Sequence, residues 1–113
     1  MPHVTIECAR DVAGTYDMQA LCEDVFQALA AHQAIPDATS LKVRVLPCTH
    51  WRIGTHPQSF AHADLRLLPG RSQATKDDLA RVVLAQMEKA MPQVGSLSVD
   101  VCDLSPSYTK RVL

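Results

Sequence analysis

The chain has 113 residues, 47% of them hydrophobic, and its 11 basic and 12 acidic side chains give a formal net charge of −1. A chain of this length fits one compact domain, the near-neutral charge leaves no basic surplus for a nucleic-acid backbone, and no apolar run reaches the roughly 20 residues that cross a bilayer. With neither a basic leader nor a signal-type apolar stretch at its start, the sequence reads as a cytoplasmic protein with no nucleic-acid or membrane partner.

From His3 to Cys8, the polar His3, Thr5 and Glu7 alternate with Val4, Ile6 and Cys8, the period of a half-buried strand. After a turn around Gly14, Asp17 is placed to cap a helix. Its apolar positions Leu21, Val25, Phe26 and Leu29 recur at helical spacing until Ile35-Pro36 ends it. Leu41, Val43 and Val45 then alternate with Lys42 and Arg44 in a second strand.

Beyond a connection from Pro47 to Gln58, the residues Ala61, Ala63, Leu65 and Leu67 alternate with His62, Asp64 and Arg66 until Pro69-Gly70 breaks the strand. Either Ser72 or Thr75 caps the following helix, the latter with Asp78 as partner in a capping box. Leu79, Val83, Met87 and Ala90 form its buried stripe, and Leu97, Val99 and Val101 supply a last strand.

This order predicts an α/β fold: one domain over residues 1–113, built of two tandem βαβ units at about residues 2–46 and 58–103. Right-handed crossovers place both helices on one face of a four-stranded sheet. The opposite face carries Thr5, Glu7, Lys42, Arg44, His62, Asp64 and Arg66. It is either a solvated surface or the lining of a site or subunit interface. The tail from Ser105 to Leu113 is polar, ends in Val112-Leu113, and is placed to reach a neighbouring subunit.

Three features carry chemistry. Pro2 becomes a free secondary amine if the initiator Met1 is removed, and an α-amino group with a reference pKa of about 7.7–8.0 shuttles protons near neutrality when burial or nearby cations lower it. Pro69-Gly70-Arg71-Ser72 joins a strand end to a helix start, where free amides favour an anion and Arg71 adds a carboxylate clamp; a plain turn and cap fits the same residues. Lys42 and Arg44 share a strand face and suit a carboxylate or a polarised carbonyl, as they equally suit solvent or acidic partners.

Cys8, Cys22, Cys48 and Cys102 include no CxxC pair and read as free thiols. Cys48, His50, His56 and His62 match no compact zinc spacing, so no metal is expected. Nothing in the sequence sets a thiol beside a histidine base.

Taken together, these residues resemble the tautomerase superfamily, most closely its 5-carboxymethyl-2-hydroxymuconate Δ-isomerase branch. Pro2-His3-Val4-Thr5-Ile6-Glu7-Cys8 is similar to that branch's opening, and Phe60-Ala61-His62-Ala63 with Gly70-Arg71-Ser72 is similar to its second-half block. Trp51 keeps the branch's distance from Arg44, and the connection from Trp51 to Phe60 is short.

The resemblance implies an isomerase, a trimer with inward-facing sheets, and no cofactor. It implies that Pro2 is the acid-base group, and that Arg71 and the residue at Lys42 bind the carboxylates or developing enolate of a small-molecule substrate. The branch usually has arginine at Lys42, and a lysine lacks the planar fork; Arg44 is placed to compensate. A hydratase or dehalogenase of unsaturated acids on the same fold, or a non-enzymatic trimeric binding protein, are the alternatives.

Overall fold

The computed structural model describes residues 2–113. Alternation sets the first strand, β1 (His3–Ala9), with Val4, Ile6 and Cys8 buried on one face and His3, Thr5 and Glu7 on the other. Helix α1 (Arg10–Thr15) follows directly, and its Val12 joins the core. The sequence suggested only a turn around Gly14. Six residues are too few to display a helical period, and the buried Val12 anchors this single element instead.

Helix α2 (Met18–Ala30) starts as expected at Asp17, whose side chain accepts from the Ala20 amide at 3.0 Å, and it buries Leu21, Val25 and Leu29. Phe26 is only partly buried. The helix ends at Ala30, well short of Ile35-Pro36. The chain turns there because the Ile35 amide donates to the His32 carbonyl, while His32 Nδ1 captures the Ala34 amide at 3.0 Å. A local side-chain acceptor competes with the helical ladder in this way.

A short 3₁₀ turn (Ala38–Ser40) leads into β2 (Lys42–Cys48), with Leu41 buried just ahead of it. The loop between Thr49 and Ser59 is closed by Trp51 Nε1 donating to the Gln58 carbonyl at 3.0 Å, and by Gln58 bonding the backbone of Ile53 and Thr55. Strand β3 (Phe60–Leu67) buries Ala61, Ala63, Leu65 and Leu67.

Gly70 turns the chain at a φ of 123°, a region that favours glycine. Helix α3 (Gln73–Ala90) is capped by Ser72, whose hydroxyl accepts from the Thr75 amide at 3.1 Å. Thr75 is therefore inside the first turn and is not the cap, and Asp78 is released from a capping box to bond elsewhere. Leu79, Val83 and Met87 are buried and Ala90 partly so. The last strand is β4 (Ser96–Asp103), tied to α3 by a 3.0 Å Lys76–Asp103 ion pair.

The sheet order is β2-β1-β3-β4, with parallel outer pairs and an antiparallel β1–β3 centre. Helices α2 and α3 pack against each other over one sheet face, where Val4, Ile6, Leu65, Leu29, Leu79 and Met87 meet. Residues of the other parity, including His62, Asp64, Arg66, Lys42 and Arg44, are left on the helix-free face. No helix of the described residues is long and apolar enough to cross a membrane.

Candidate active site

Pro2 enters the sheet between the start of β2 and the end of β3. It is buried, its carbonyl accepts the Lys42 amide at 3.1 Å, and the adjoining His3 pairs in register with Lys42 on one side and Arg66 on the other. Leu67 and the Pro69-Gly70-Arg71 turn continue from Arg66, so Pro2 and Arg71 belong to the same end of the sheet. Lys42 is exposed, its ammonium resting 3.4 Å from the Ser40 carbonyl.

Arg44 stands two residues further along β2 and lines a hollow of about 420 Å³ on the helix-free face. His3, Arg66, Glu7, Asp64 and Tyr108 share that hollow, so cations and carboxylates are interleaved in it. Arg44 Nη1 donates to His3 Nδ1 at 3.3 Å, which leaves the proton on Nε2 to donate to the Tyr108 hydroxyl at 2.9 Å. Burial first, then the charges of Arg44 and Lys42, hold the His3 imidazole below its ordinary pKa. The neutral ring thereby pins part of the C-terminal tail onto its own sheet, while Val112 and Leu113 remain exposed. Beside this hollow, His62 bonds Ser98 at 2.6 Å and Asp64 at 3.2 Å.

Arg71 lies in a second hollow, of about 500 Å³, between the turn after α2 and the first turns of α3. Its Nε and Nη2 donate to the Ala34 carbonyl at 3.1 and 2.8 Å, and Nη1 donates to the Leu68 carbonyl at 3.2 Å. A guanidinium has five N–H groups, and three are thus committed to backbone. One on each terminal nitrogen is uncommitted among the described residues. Arg71 is held in place with donors left over for an anion, rather than swinging as a free clamp. Within one chain, Arg44 and Arg71 occupy separate hollows.

Cys8, Cys22, Cys48 and Cys102 are all free thiols. Burial raises the pKa of Cys8, with Cys48 adding to the shift, and burial also raises Cys22, so both favour the unreactive thiol form. Among the described residues no group of three or more histidine, cysteine or acidic side chains is placed to hold a metal. His50 bonds the Thr49 hydroxyl and His62 is engaged as above.

Sequence reasoning overlooked His32 and Tyr108, and offered Asp78 only as a capping-box partner. His32 and Asp78 are 46 positions apart and meet at 2.6 Å, and Tyr108 meets His3 across 105 positions. No local pattern announces such pairs.

The strand order and the paired helices on one face are shared with solved structures of known proteins. Among solved structures, a 5-carboxymethyl-2-hydroxymuconate delta-isomerase matches with a TM-score of 0.85 at 19% identity, covering 99% of this chain and 88% of that one. A 5-carboxymethyl-2-hydroxymuconate isomerase from Deinococcus radiodurans R1 matches at 0.82 and 20% identity, covering 98% and 88%. A fused 4-OT symmetric trimer matches at 0.69 and 14% identity, covering 90% and 85%. No curated protein sequence matches the chain. The chain belongs to the 5-carboxymethyl-2-hydroxymuconate isomerase family, whose model matches residues 2–109, and it is an isomerase.

Proposed function

We propose that this protein, with Met1 removed, uses the secondary amine of Pro2 to move a proton within an unsaturated 2-hydroxy or 2-oxo polycarboxylic acid of the 5-carboxymethyl-2-hydroxymuconate type. The observation that carries the reading is the family match beginning at Pro2. It is supported by the burial of that residue beside Lys42, at the end of the sheet where Arg71 follows. Burial and neighbouring cations both favour the uncharged amine, the form that acts as a base.

In the reaction, the neutral Pro2 nitrogen takes the proton of the substrate's enol hydroxyl. The electron pair left behind delocalises over the dienolate, and the prolinium returns the proton to a carbon, converting the enol into an unsaturated ketone. Arg71 supplies its two spare N–H groups to a substrate carboxylate. Lys42 and Arg44 hold another carboxylate or the enolate oxygen, where fixed positive charge stabilises the transition state more than the ground state. Proton transfer of this kind consumes and releases no cofactor.

Because Arg44 and Arg71 occupy separate hollows in one chain, a homotrimer whose sheets face inward completes the site by bringing neighbouring copies together. The polar face with Glu7, Arg44, Asp64 and Arg66 suits such an interior, and the matched 4-OT assembly is a symmetric trimer. A role in cytoplasmic catabolism of aromatic acids follows from the substrate class.

The test is intact mass of tag-free protein, followed on the same sample by an ultraviolet assay of 5-carboxymethyl-2-hydroxymuconate ketonisation and the mass of the product. Loss of Met1 with turnover at constant product mass supports the reading. A product heavier by one water identifies a hydratase, and retained Met1 without turnover identifies a binding protein.

A further inference from the structure

Arg71 does not position itself. Its guanidinium is aimed chiefly by one oxygen, the Ala34 carbonyl, which receives both Nε–H and Nη2–H. Ala34 is itself braced through its amide, which donates to His32 Nδ1 at 3.0 Å. An Nδ1 that accepts carries no proton, so the proton of the neutral ring is on Nε2, and Nε2 donates to Asp78 Oδ2 at 2.6 Å. The His32 side chain is 13% exposed and Asp78 57%. A chain of hydrogen bonds therefore runs from Asp78 on α3, through the imidazole and the Ala34 peptide, to the guanidinium. His32, Ala34, Arg71 and Asp78 line one hollow.

We propose that His32 and Asp78 are positioning residues for Arg71, together fixing the turn after α2 so that the Ala34 carbonyl presents the guanidinium to a substrate carboxylate. This rests on the reading that Arg71 binds substrate. The carboxylate of Asp78 selects the ring tautomer whose Nδ1 accepts. The turn it stabilises is the one that ends α2 at Ala30, so a feature of helix termination doubles as a support for the site. A bare structural pin between α2 and α3 would serve stability alone, and the two roles separate in kinetics and in the behaviour of Arg71 itself.

The experiment uses the full-length protein and its His32→Ala, His32→Asn and Arg71→Lys variants, with 5-carboxymethyl-2-hydroxymuconate as probe. The Arg71 Nε–H cross-peak in a ¹H–¹⁵N spectrum, assigned by its disappearance in Arg71→Lys, reports the Ala34 hydrogen bond without any turnover. In His32→Ala its solvent exchange is expected to quicken about tenfold, and KM to rise about tenfold with kcat held within about twofold. His32→Asn keeps an oxygen near the Nδ1 position and should hold KM within about threefold of the parent. Adding His32→Ala to Arg71→Lys should raise KM no further.

Unchanged Nε–H exchange in a folded His32→Ala protein overturns the proposal whatever the kinetics do. It is equally overturned if Arg71→Lys raises KM and His32→Ala does not. If exchange quickens while Arg71→Lys leaves KM alone, the substrate role of Arg71 falls and the positioning of its side chain stands. Should His32→Ala fail to fold, Asp78→Ala at the more exposed partner gives the same readings.

Discussion

The hollows that hold Arg44 and Arg71 are built on opposite principles. On the helix-free face, Arg44, Arg66, Glu7 and Asp64 project from neighbouring strands, and their company is dictated by sheet parity and register. At the start of α3, Arg71 is gripped by the carbonyls of Ala34 and Leu68, and its direction is dictated by how two loops fold. The first arrangement tolerates exchange of side chains because the backbone carries none of the recognition. The second ties recognition to backbone geometry, so small changes in the loops reach the site.

The sharpest way to break this contrast is to remove Arg71. Loss of a charge-assisted hydrogen bond to a substrate carboxylate should lower kcat/KM of Arg71→Ala about fiftyfold. Steady-state kinetics check this, and a change confined to stability would return Arg71 to a purely architectural role.

Next in size is the turn that delivers it. Among the described residues, and apart from those adjoining it in the chain, none has an atom within 4 Å of where a Cβ on Gly70 would stand, so the obstacle to a side chain is the φ of 123°. Gly70→Ala should cost about 1–2 kcal/mol in urea unfolding, with a KM increase as the Arg71 loop shifts.

The sheet-face hollow is probed more gently through Tyr108. Tyr108→Phe deletes the acceptor for His3 Nε2–H and should cost about 1 kcal/mol. The His3 pKa is lowered in the folded state, so the unfolded chain binds more protons between the two values. The stability it contributes is present above its unfolded pKa of about 6.5 and is lost as pH falls through the folded value. Urea unfolding across that range should show an acid limb that His3→Gln flattens. The smallest effect belongs to Lys42→Arg, which restores a planar fork on an exposed strand position and should improve substrate KM by about threefold; a worsened KM would mean that Arg44 already fills that role.

Legibility in the sequence followed the same division. Period-two alternation in His3–Cys8, Lys42–Val45 and Ala61–Leu67 was enough to place the strands and their polar face, because a strand's register sorts its side chains without outside help. The three- and four-residue spacing of Leu21, Val25 and Leu29 likewise identified α2. What stayed hidden depends on individual side-chain hydrogen bonds, some local and some between residues distant in sequence. The end of α2 was misplaced because His32 stops it with a side-chain acceptor, and Arg71 looked like an open clamp because the Ala34 carbonyl that holds it is 37 positions away. The choice of Ser72 over Thr75 as cap follows from the backbone: Ser72 alone has the extended conformation that precedes a helix.

Whether the Pro2 nitrogen moves the proton is read from the ketonisation rate of Pro2→Ala against the parent, both confirmed by mass to lack Met1. General acid-base catalysis by the proline nitrogen predicts a fall in kcat of about 10²–10⁴-fold with KM little changed. A variant that turns over at the parent's rate would contradict the account and move the proton transfer to another residue.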